Sequence, residues 1–244
     1  MDTSKRHLRW PGCRAGCDGY LADVSDQSSR APSPLRPGSR SLRISVLFDA
    51  GGWLEEHLQA FVALHDLDGH QVSFANELHA VGPTDLLVLF GYSRVLNHGE
   101  LARATSTLVV HASDLPRGRG WSPYVWDIVE GAATLTVSLI DAASPVDSGD
   151  IIHQASISLR GSELLPEIRA MIVTCAVDLV RRAATQICDG VLSRQPQCGD
   201  PTYRRRRTRA DAELDPERTI ASQMDLLRAV DNVRFPAWFR FRDR

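Results

Sequence analysis

The stretch 108–152 constrains the fold most strongly, because it contains two strand-like runs that each end at a polar loop. The first run delivers His111 to a loop rich in glycine and proline, 112–123. The second, 135–140, leads to a loop that carries Asp147. Enzymes with α/β folds commonly keep their reactive groups at the ends of strands. The pattern therefore predicts an α/β enzyme in which His111 and Asp147 meet.

The runs before this stretch are short, apolar and separated by a helical pattern. We predict strands at 43–49, 71–75 and 85–90, and a helix over 53–67 with apolar residues at helical spacing. This order is typical of a parallel sheet with right-handed connections. The later patterns predict strands at 107–111, 134–141 and 150–159 and helices at 97–103, 124–130 and 164–187. Ser122 and Pro123 form a start signal for the helix at 124–130.

The chain divides by composition into three parts. Residues 1–42 are rich in Arg, Ser, Gly and Pro, which predicts a disordered extension. Residues 43–192 form the predicted catalytic domain, and 193–244 an extension that closes the site. The net charge of −2 argues against a nucleic-acid partner. Without a run of about 20 apolar residues or an apolar leader, we expect a cytoplasmic protein with no membrane contact.

The C-terminal extension carries three distinct patterns. Residues 216–230 predict an amphipathic helix, and 235–241 form an aromatic, strand-like run that predicts a homodimer contact. The four arginines 204–207 have two interpretations, a solvated face or a phosphate clamp.

The sequence also bears on sites other than an acid–base pair. Gly51 and Gly52 do not fit the dinucleotide motif, because the later glycines of G-x-G-x-x-G are missing. The five cysteines contain no C-x-x-C pair, so no metal is expected. His111 and Asp147 suit a general base and its orienting carboxylate, but a buried structural histidine and a turn aspartate give the same pattern. The loop 91–96 is either a ligand loop or an ordinary turn.

Two motifs resemble those of the formyltransferases that use 10-formyltetrahydrofolate. They read His-Ala-Ser-Asp-Leu-Pro-Arg-Gly-Arg-Gly-Trp-Ser-Pro at 111–123 and Val-Asp-Ser-Gly-Asp at 146–150. The run 85–96 is similar to the family's third strand and folate-bordering loop. The resemblance implies a Rossmann-like fold with a mostly parallel sheet flanked by helices and a short C-terminal helix/strand extension. It also implies 10-formyltetrahydrofolate as formyl donor, without a metal, and His111 and Asp147 as catalytic residues.

Within that family the chain looks most like the sugar N-formyltransferases, on the motifs at 111–123, 203–208, 211–215 and 226–239. This implies formyl transfer to the primary amine of a nucleotide-linked amino sugar in surface polysaccharide biosynthesis. By the resemblance, the residues that border the folate are Gly91, Tyr92, Ser93, Arg94, Val95, Leu96 and Asp141. Those that contact the acceptor are Ser113, Arg117, Arg119, Gly120 and Arg204.

One position departs from the family pattern. The family has an asparagine two residues before the histidine, where this chain has Val109. Loss of an oxyanion donor can cost about 3 kcal/mol of transition-state stabilisation. Protonated His111 or a backbone N–H in 112–120 could replace it. If Val109 abolishes catalysis, the chain is a non-catalytic folate- or sugar-binding relative. Two further alternatives are a methionyl-tRNA formyltransferase-like enzyme and a formyltetrahydrofolate hydrolase.

Overall fold

The computed structural model describes residues 22–23, 40–66 and 69–241. The strands are β1 (Ala22–Asp23), β2 (Arg43–Leu47), β3 (Gln71–Ala75), β4 (Thr84–Phe90), β5 (Ala104–His111), β6 (Arg119–Gly120), β7 (Thr134–Asp141), β8 (Ile151–Ser158) and β9 (Tyr203–Arg204). The helices are α1 (Gln59–Asp66), α2 (His98–Leu101), α3 (Pro123–Val129), α4 (Leu165–Cys188) and α5 (Met224–Arg228).

Seven of these strands form one sheet in the order β1-β8-β7-β5-β4-β2-β3, and β6 pairs with β9 separately. Strand β7 is antiparallel to β5 and to β8, while the other neighbouring pairs of the large sheet are parallel. The predicted α/β fold with a mostly parallel sheet and a C-terminal helix/strand extension is therefore confirmed. The predicted disordered extension 1–42 lies mostly outside the described residues and stays a prediction.

The two faces of the large sheet differ in how completely they are covered. Helix α4 packs on β7 and β8, and α1 packs on α4 and β3. Under them, Val88, Leu108 and Val110 are at most 5% exposed and belong to the main apolar core. A smaller cluster covers part of the opposite face, around Leu47 and Leu87. Because strand side chains alternate, His111 lies on this second, less covered face.

The local predictions fail mainly in the C-terminal extension. The helix expected at 216–230 is wrong in extent, since only a 3-10 turn at Ala221–Gln223 and the short α5 are helical. The side-chain amide of Gln223 bonds the backbone of Asp215 at both its N–H and its oxygen, which holds a loop there. The aromatic run 235–241 forms no strand among the described residues, only isolated bridges.

The start of α3 is partly as predicted. Pro123 is its first residue. Ser122, however, has a left-handed φ of 45° and makes no capping hydrogen bond through its side chain. The cap prediction is therefore wrong, because the chain enters this helix from a tight turn instead of an extended residue.

Candidate active site

His111 ends strand β5 and lies against Asp147 from the loop after β7. The Nδ1 atom of His111 is 3.5 Å from Oδ1 of Asp147, and both side chains are more than nine-tenths buried. On the other side of the ring, Nε2 lies 2.8 Å from the carbonyl oxygen of Gly118. Because a carbonyl oxygen only accepts hydrogen bonds, Nε2 carries a proton in this arrangement. A proton gained by the ring must then reside on Nδ1, beside the carboxylate.

The loop that carries Asp147 packs tightly against the end of β7. A Cβ atom at Gly149 would lie 1.8 Å from the backbone oxygen of Asp141, so only glycine fits there. Asp147 has a φ of 58°, which is uncommon for a residue with a side chain. Its Oδ2 atom accepts a hydrogen bond from the N–H of Gly120 at 2.9 Å. Close packing and this hydrogen bond together hold the carboxylate beside His111.

Gln197, after α4, connects this loop to the C-terminal extension. Its Nε2 donates to the backbone oxygens of Asp147 and Gly149, each at 2.8 Å. Its Oε1 accepts a hydrogen bond from Arg119 at 2.6 Å. The sequence analysis missed Gln197, because a single glutamine in a loop belongs to no motif that points to it.

Strands β6 and β9 place the extension directly against the loop after His111. Their register pairs Arg119 with Tyr203 and Gly120 with Arg204. A Cβ atom at Gly120 would lie 2.5 Å from the backbone oxygen of Arg204, which explains glycine at this predicted acceptor position. The N–H of Gly118 donates to Oγ1 of Thr202 at 2.9 Å. Several backbone donors of the loop 112–120 are thus already used within the protein.

The loop predicted to border the folate, 91–96, begins beside His111. Phe90 and Val110 are register partners on the parallel strands β4 and β5, so the residues that follow them leave the sheet at the same edge. The structure therefore brings this predicted loop and the histidine together.

Hydrogen bonds fix the shape of that loop. The N–H of Ser93 donates to Oδ1 of Asp49 at 3.0 Å. Arg94 pairs with Glu100 at 2.8 Å. Leu96 is buried, and Tyr92 packs against the smaller apolar cluster. Val95 is 68% exposed and free to contact a ligand.

Asp141 lies farther from the histidine than the loop does. It ends β7 opposite Leu108 on β5, whereas His111 is opposite Ser138. Its carboxylate accepts a hydrogen bond from Nε of Arg194 at 2.5 Å. A folate contact by Asp141 would have to share the carboxylate with this arginine, another residue that the sequence analysis did not single out.

An apolar, partly uncovered patch lies on the sheet face of His111. Leu89 and Val109 are register partners on that face, and both are only half-buried at the centre of the sheet. An apolar floor with polar groups at its edge is typical of small-molecule sites. Val109, the residue that departs from the family pattern, contributes to this floor.

The residues predicted to contact the formyl acceptor differ in their surroundings. Ser113 is buried, and its hydroxyl has no hydrogen-bond partner among the described residues. Its backbone oxygen accepts a hydrogen bond from the fully buried Ser138 at 2.6 Å. Arg117 is exposed and pairs with Asp114. Ser113 and Arg117 therefore flank the turn between the histidine and β6.

Arg204, the first of the arginines 204–207, is engaged by helix α3. It donates to Glu130 at 2.5 and 2.6 Å and to Asp127 at 3.1 Å. The hydrogen bond from Arg204 lowers the pKa of the Glu130 carboxyl. Three of the five N–H groups of Arg204 are therefore used by these carboxylates, and a sugar contact would have to use the remaining two.

The other arginines of this run also differ from one another. Arg205 pairs with Asp211, which its hydrogen bond holds at a pKa well below the usual range. Arg207 is buried and donates to the backbone oxygens of Ala229 and Asp211, each at 3.0 Å. Arg206 is exposed and makes no ion pair within the described ranges.

A buried ion pair anchors the end of the extension to the domain. Arg169 of α4 donates to Asp231 at 2.7 Å and to the hydroxyl of Tyr124 at 3.2 Å. Asp231 also accepts a hydrogen bond from the N–H of Arg234 at 3.0 Å. Burial raises the pKa of Tyr124 above its ordinary value. Asp231 lies in the motif 226–232, for which the sequence indicated no structural role.

No group of three or more His, Cys, Asp or Glu side chains in the described part of the chain could hold a metal ion. Within the same part, no helix is both long and apolar enough to cross a membrane.

The chain matches the family model described as formyl transferase over residues 64–173. It also resembles HypX from Aquifex aeolicus in complex with tetrahydrofolic acid, at 19% identity and a TM-score of 0.67. That match covers 79% of this chain and 35% of HypX, so the chain spans about a third of the HypX length.

Two further structures match over most of their own length. Methionyl-tRNA formyltransferase from Clostridium thermocellum is 20% identical with a TM-score of 0.63, covering 82% of this chain and 88% of that one. A 4-N formyltransferase from Francisella tularensis is 17% identical with a TM-score of 0.62, covering 82% and 93%. Identities this low establish the fold. The part of the chain that matches the formyl transferase family model, 64–173, holds both His111 and Asp147.

Proposed function

We propose that this chain transfers the formyl group of 10-formyltetrahydrofolate to the primary amine of a nucleotide-linked amino sugar in surface polysaccharide biosynthesis. The observation that carries the proposal is the buried pair of His111 and Asp147 at the edge of the apolar floor formed by Leu89 and Val109.

The residues present fit a folate as formyl donor. The half-buried floor of Leu89 and Val109 would lie under the flat pterin, and the loop 91–96 would border it. Tyr92 and the exposed Val95 add apolar contacts at that border. HypX, a structure of similar fold, binds tetrahydrofolic acid.

His111 would act as the general base. The amine attacks the formyl carbon, the bond from that carbon to the folate nitrogen breaks, and the nitrogen leaves with a proton. Because Nε2 already donates to Gly118, the proton lost by the amine would move to Nδ1 of His111. Asp147, 3.5 Å away, would stabilise the resulting imidazolium and help return the proton to the leaving nitrogen. The imidazolium would also offset the charge on the formyl oxygen where Val109 supplies no donor.

An amino sugar is favoured as acceptor by similarity in fold to a 4-N formyltransferase and a sugar N-formyltransferase. Arg117 and Arg119 lie in the catalytic loop, 112–120, which follows His111. They would contact the hydroxyl or phosphate groups of the acceptor.

The test is an assay of tetrahydrofolate release with a panel of nucleotide-linked amino sugars, with the formylated product identified by mass spectrometry. We expect turnover with at least one member, and a loss of about 10²- to 10⁴-fold in His111→Ala because a general base is removed. The exposed His98 provides the control His98→Ala, expected to behave as the wild type. No turnover with any amine, formate release that needs no amine, or an active His111→Ala variant would contradict the proposal.

A further inference from the structure

We propose that Trp121 and Arg206 bind the nucleoside diphosphate part of the acceptor, an inference that rests on the proposed function. The two residues face each other beside the catalytic loop, with Cζ of Arg206 4.9 Å from the centre of the Trp121 ring.

Arg206 is the member of the arginine run that the fold leaves available. Arg204 and Arg205 are paired with carboxylates, and Arg207 is buried against backbone oxygens. Arg206 is exposed, and in the described part of the chain it contacts an aromatic ring and no acidic side chain. A guanidinium in this state can bind phosphate oxygens in a bidentate manner without breaking an existing ion pair.

Trp121 is close to the reacting groups. It follows Gly120, whose N–H donates to Oδ2 of Asp147 at 2.9 Å, and consecutive Cα atoms are only about 3.8 Å apart. The N–H of Trp121 donates to the backbone oxygen of Arg204 at 3.0 Å, which fixes its backbone in the small sheet. The indole is nevertheless 43% exposed. A rigid backbone with an exposed ring is suited to stacking on a flat group such as a base.

Tyr203 extends the same surface. It is 66% exposed and lies opposite Arg119 across the small sheet, with Cζ of Arg119 6.0 Å from its ring. Exposed aromatic rings combined with arginines, beside an acid–base pair, match a ligand that joins an anionic diphosphate to an apolar base. An amino sugar with its amine at Asp147 would extend its nucleotide toward this surface.

A second arginine–tryptophan pair serves as an internal control. Cζ of Arg209 lies 4.8 Å from the centre of the Trp238 ring. The backbone of Trp238 bonds to Ala212 and Leu214, and its indole N–H donates to the backbone oxygen of Arg209. This pair is part of the packing of the extension, and these hydrogen bonds join only residues of the extension. Arg209→Gln therefore removes one arginine contact from a tryptophan at a place without a proposed ligand, while Arg240 remains 5.6 Å from the centre of the same ring.

The experiment compares Arg206→Gln with Arg209→Gln in steady-state kinetics with the nucleotide-linked acceptor and with the same amino sugar lacking the nucleotide. We expect Arg206→Gln to raise KM for the nucleotide-linked acceptor by about ten- to hundredfold, the loss of one charged hydrogen-bonded contact, with kcat little changed. KM for the free sugar should not change, and Arg206→Lys should recover part of the affinity. Equal KM values in Arg206→Gln and Arg209→Gln would overturn the inference.

Calorimetry separates this inference from the proposed function. Uridine, thymidine and guanosine diphosphates are titrated into the wild type, Trp121→Ala, Arg206→Gln and Arg209→Gln. The inference requires at least one nucleotide that binds both the wild type and Arg209→Gln. That nucleotide must bind Trp121→Ala and Arg206→Gln at least tenfold more weakly. If no amino sugar is formylated but this pattern appears, the proposed function fails and the nucleotide site stands. If no nucleotide binds the wild type, the inference fails whatever the enzyme assay shows.

Discussion

Residues 43–192, predicted to be the catalytic domain, and the C-terminal extension after them are stabilised by different interactions. Nearly all members of the main apolar core come from the domain, and within the described residues Ala229 is the only fully buried member that the extension contributes. The extension is attached by ion pairs of arginines, such as Arg204 with Glu130 at the end of α3 and Asp231 with Arg169 of α4.

This difference means that stability and the geometry of the site depend on different interactions. Apolar burial is non-directional and summed over many side chains, so it stabilises the sheet without fixing the position of any single group in the site. Hydrogen bonds and ion pairs are directional, and the extension uses them through Gln197 and Thr202 to hold the loops of Asp147 and Gly118. We therefore expect core substitutions to affect unfolding most and extension substitutions to affect catalysis most.

The largest expected change in stability follows truncation in the core. Leu179, in α4, is fully buried, and Leu179→Ala should lower the free energy of unfolding by about 2–5 kcal/mol. Ile220 in the extension is 72% exposed, so Ile220→Ala should change that free energy by less than about 0.5 kcal/mol. Urea unfolding measures both. Equal losses in the two variants would remove the distinction between the regions.

A smaller free-energy effect, seen in catalysis, is expected at Gln197. Gln197→Ala removes the two donors that hold the backbone of Asp147 and Gly149, and the displaced carboxylate should lower kcat by about ten- to hundredfold. KM for the folate should stay close to that of the wild type, since Gln197 is not among the residues placed at the floor.

Gln197→Glu keeps the acceptor for Arg119 but not the donors, and should not rescue kcat. Gln195→Ala, which leaves that residue's backbone pairing with Ile151 intact, is the control. A kcat unchanged in Gln197→Ala would show that the loop needs no such support.

The smallest effect concerns the acid sensitivity of the extension. The hydrogen bond from Arg205 and those from Thr208 lower the pKa of Asp211 in the folded chain. Asp211 therefore makes its full contribution to the free energy of unfolding at a pH above the unfolded pKa of about 3.9. That contribution is lost as the pH falls through the lowered pKa of the folded chain. Because Arg205 is exposed, we expect the ion pair to contribute less than about 1 kcal/mol to the free energy of unfolding.

Pepsin digestion at stepped pH measures that loss. Asp211→Asn should raise the rate at which the extension is cleaved at pH 5 by no more than about fivefold, and the difference from the wild type should disappear toward pH 2. Asp178→Asn, which breaks a partly buried pair with Arg181 within α4, is the control. A difference that grows as the pH falls would contradict the assigned direction.

The sequence predicted the sheet better than the extension, for a physical reason. The strand at 71–75 and the strand at 134–141 appear with the predicted bounds. In the second, the apolar positions are buried as the pattern indicates, whereas 71–75 is a largely exposed strand at the edge of the sheet. The spacing at 216–230 looks equally helical, yet Ile220 stays exposed and Gln223 bonds a loop. Periodicity indicates a helix only where there is a core to bury its apolar face.

Prediction of the site from the sequence is limited in the same way. Strand ends and the family motif pointed to His111 and Asp147, which the fold brings to 3.5 Å. Neither signal indicates which of four consecutive arginines pairs with acidic side chains, because those partners, such as Asp127, are distant in sequence. Gln197 was missed for the same reason, since its partners are backbone oxygens that come close only in the folded chain.

The central claim is that His111 and Asp147 act as one acid–base pair in formyl transfer. Single-turnover transfer of labelled formyl from 10-formyltetrahydrofolate tests it most directly, with Asp147→Asn compared against Asp189→Asn, an exposed aspartate at the end of α4. We predict a loss of about 10²- to 10⁴-fold in Asp147→Asn, with folate binding retained, and the rate of the wild type in Asp189→Asn. Equal rates in the two variants would contradict the account.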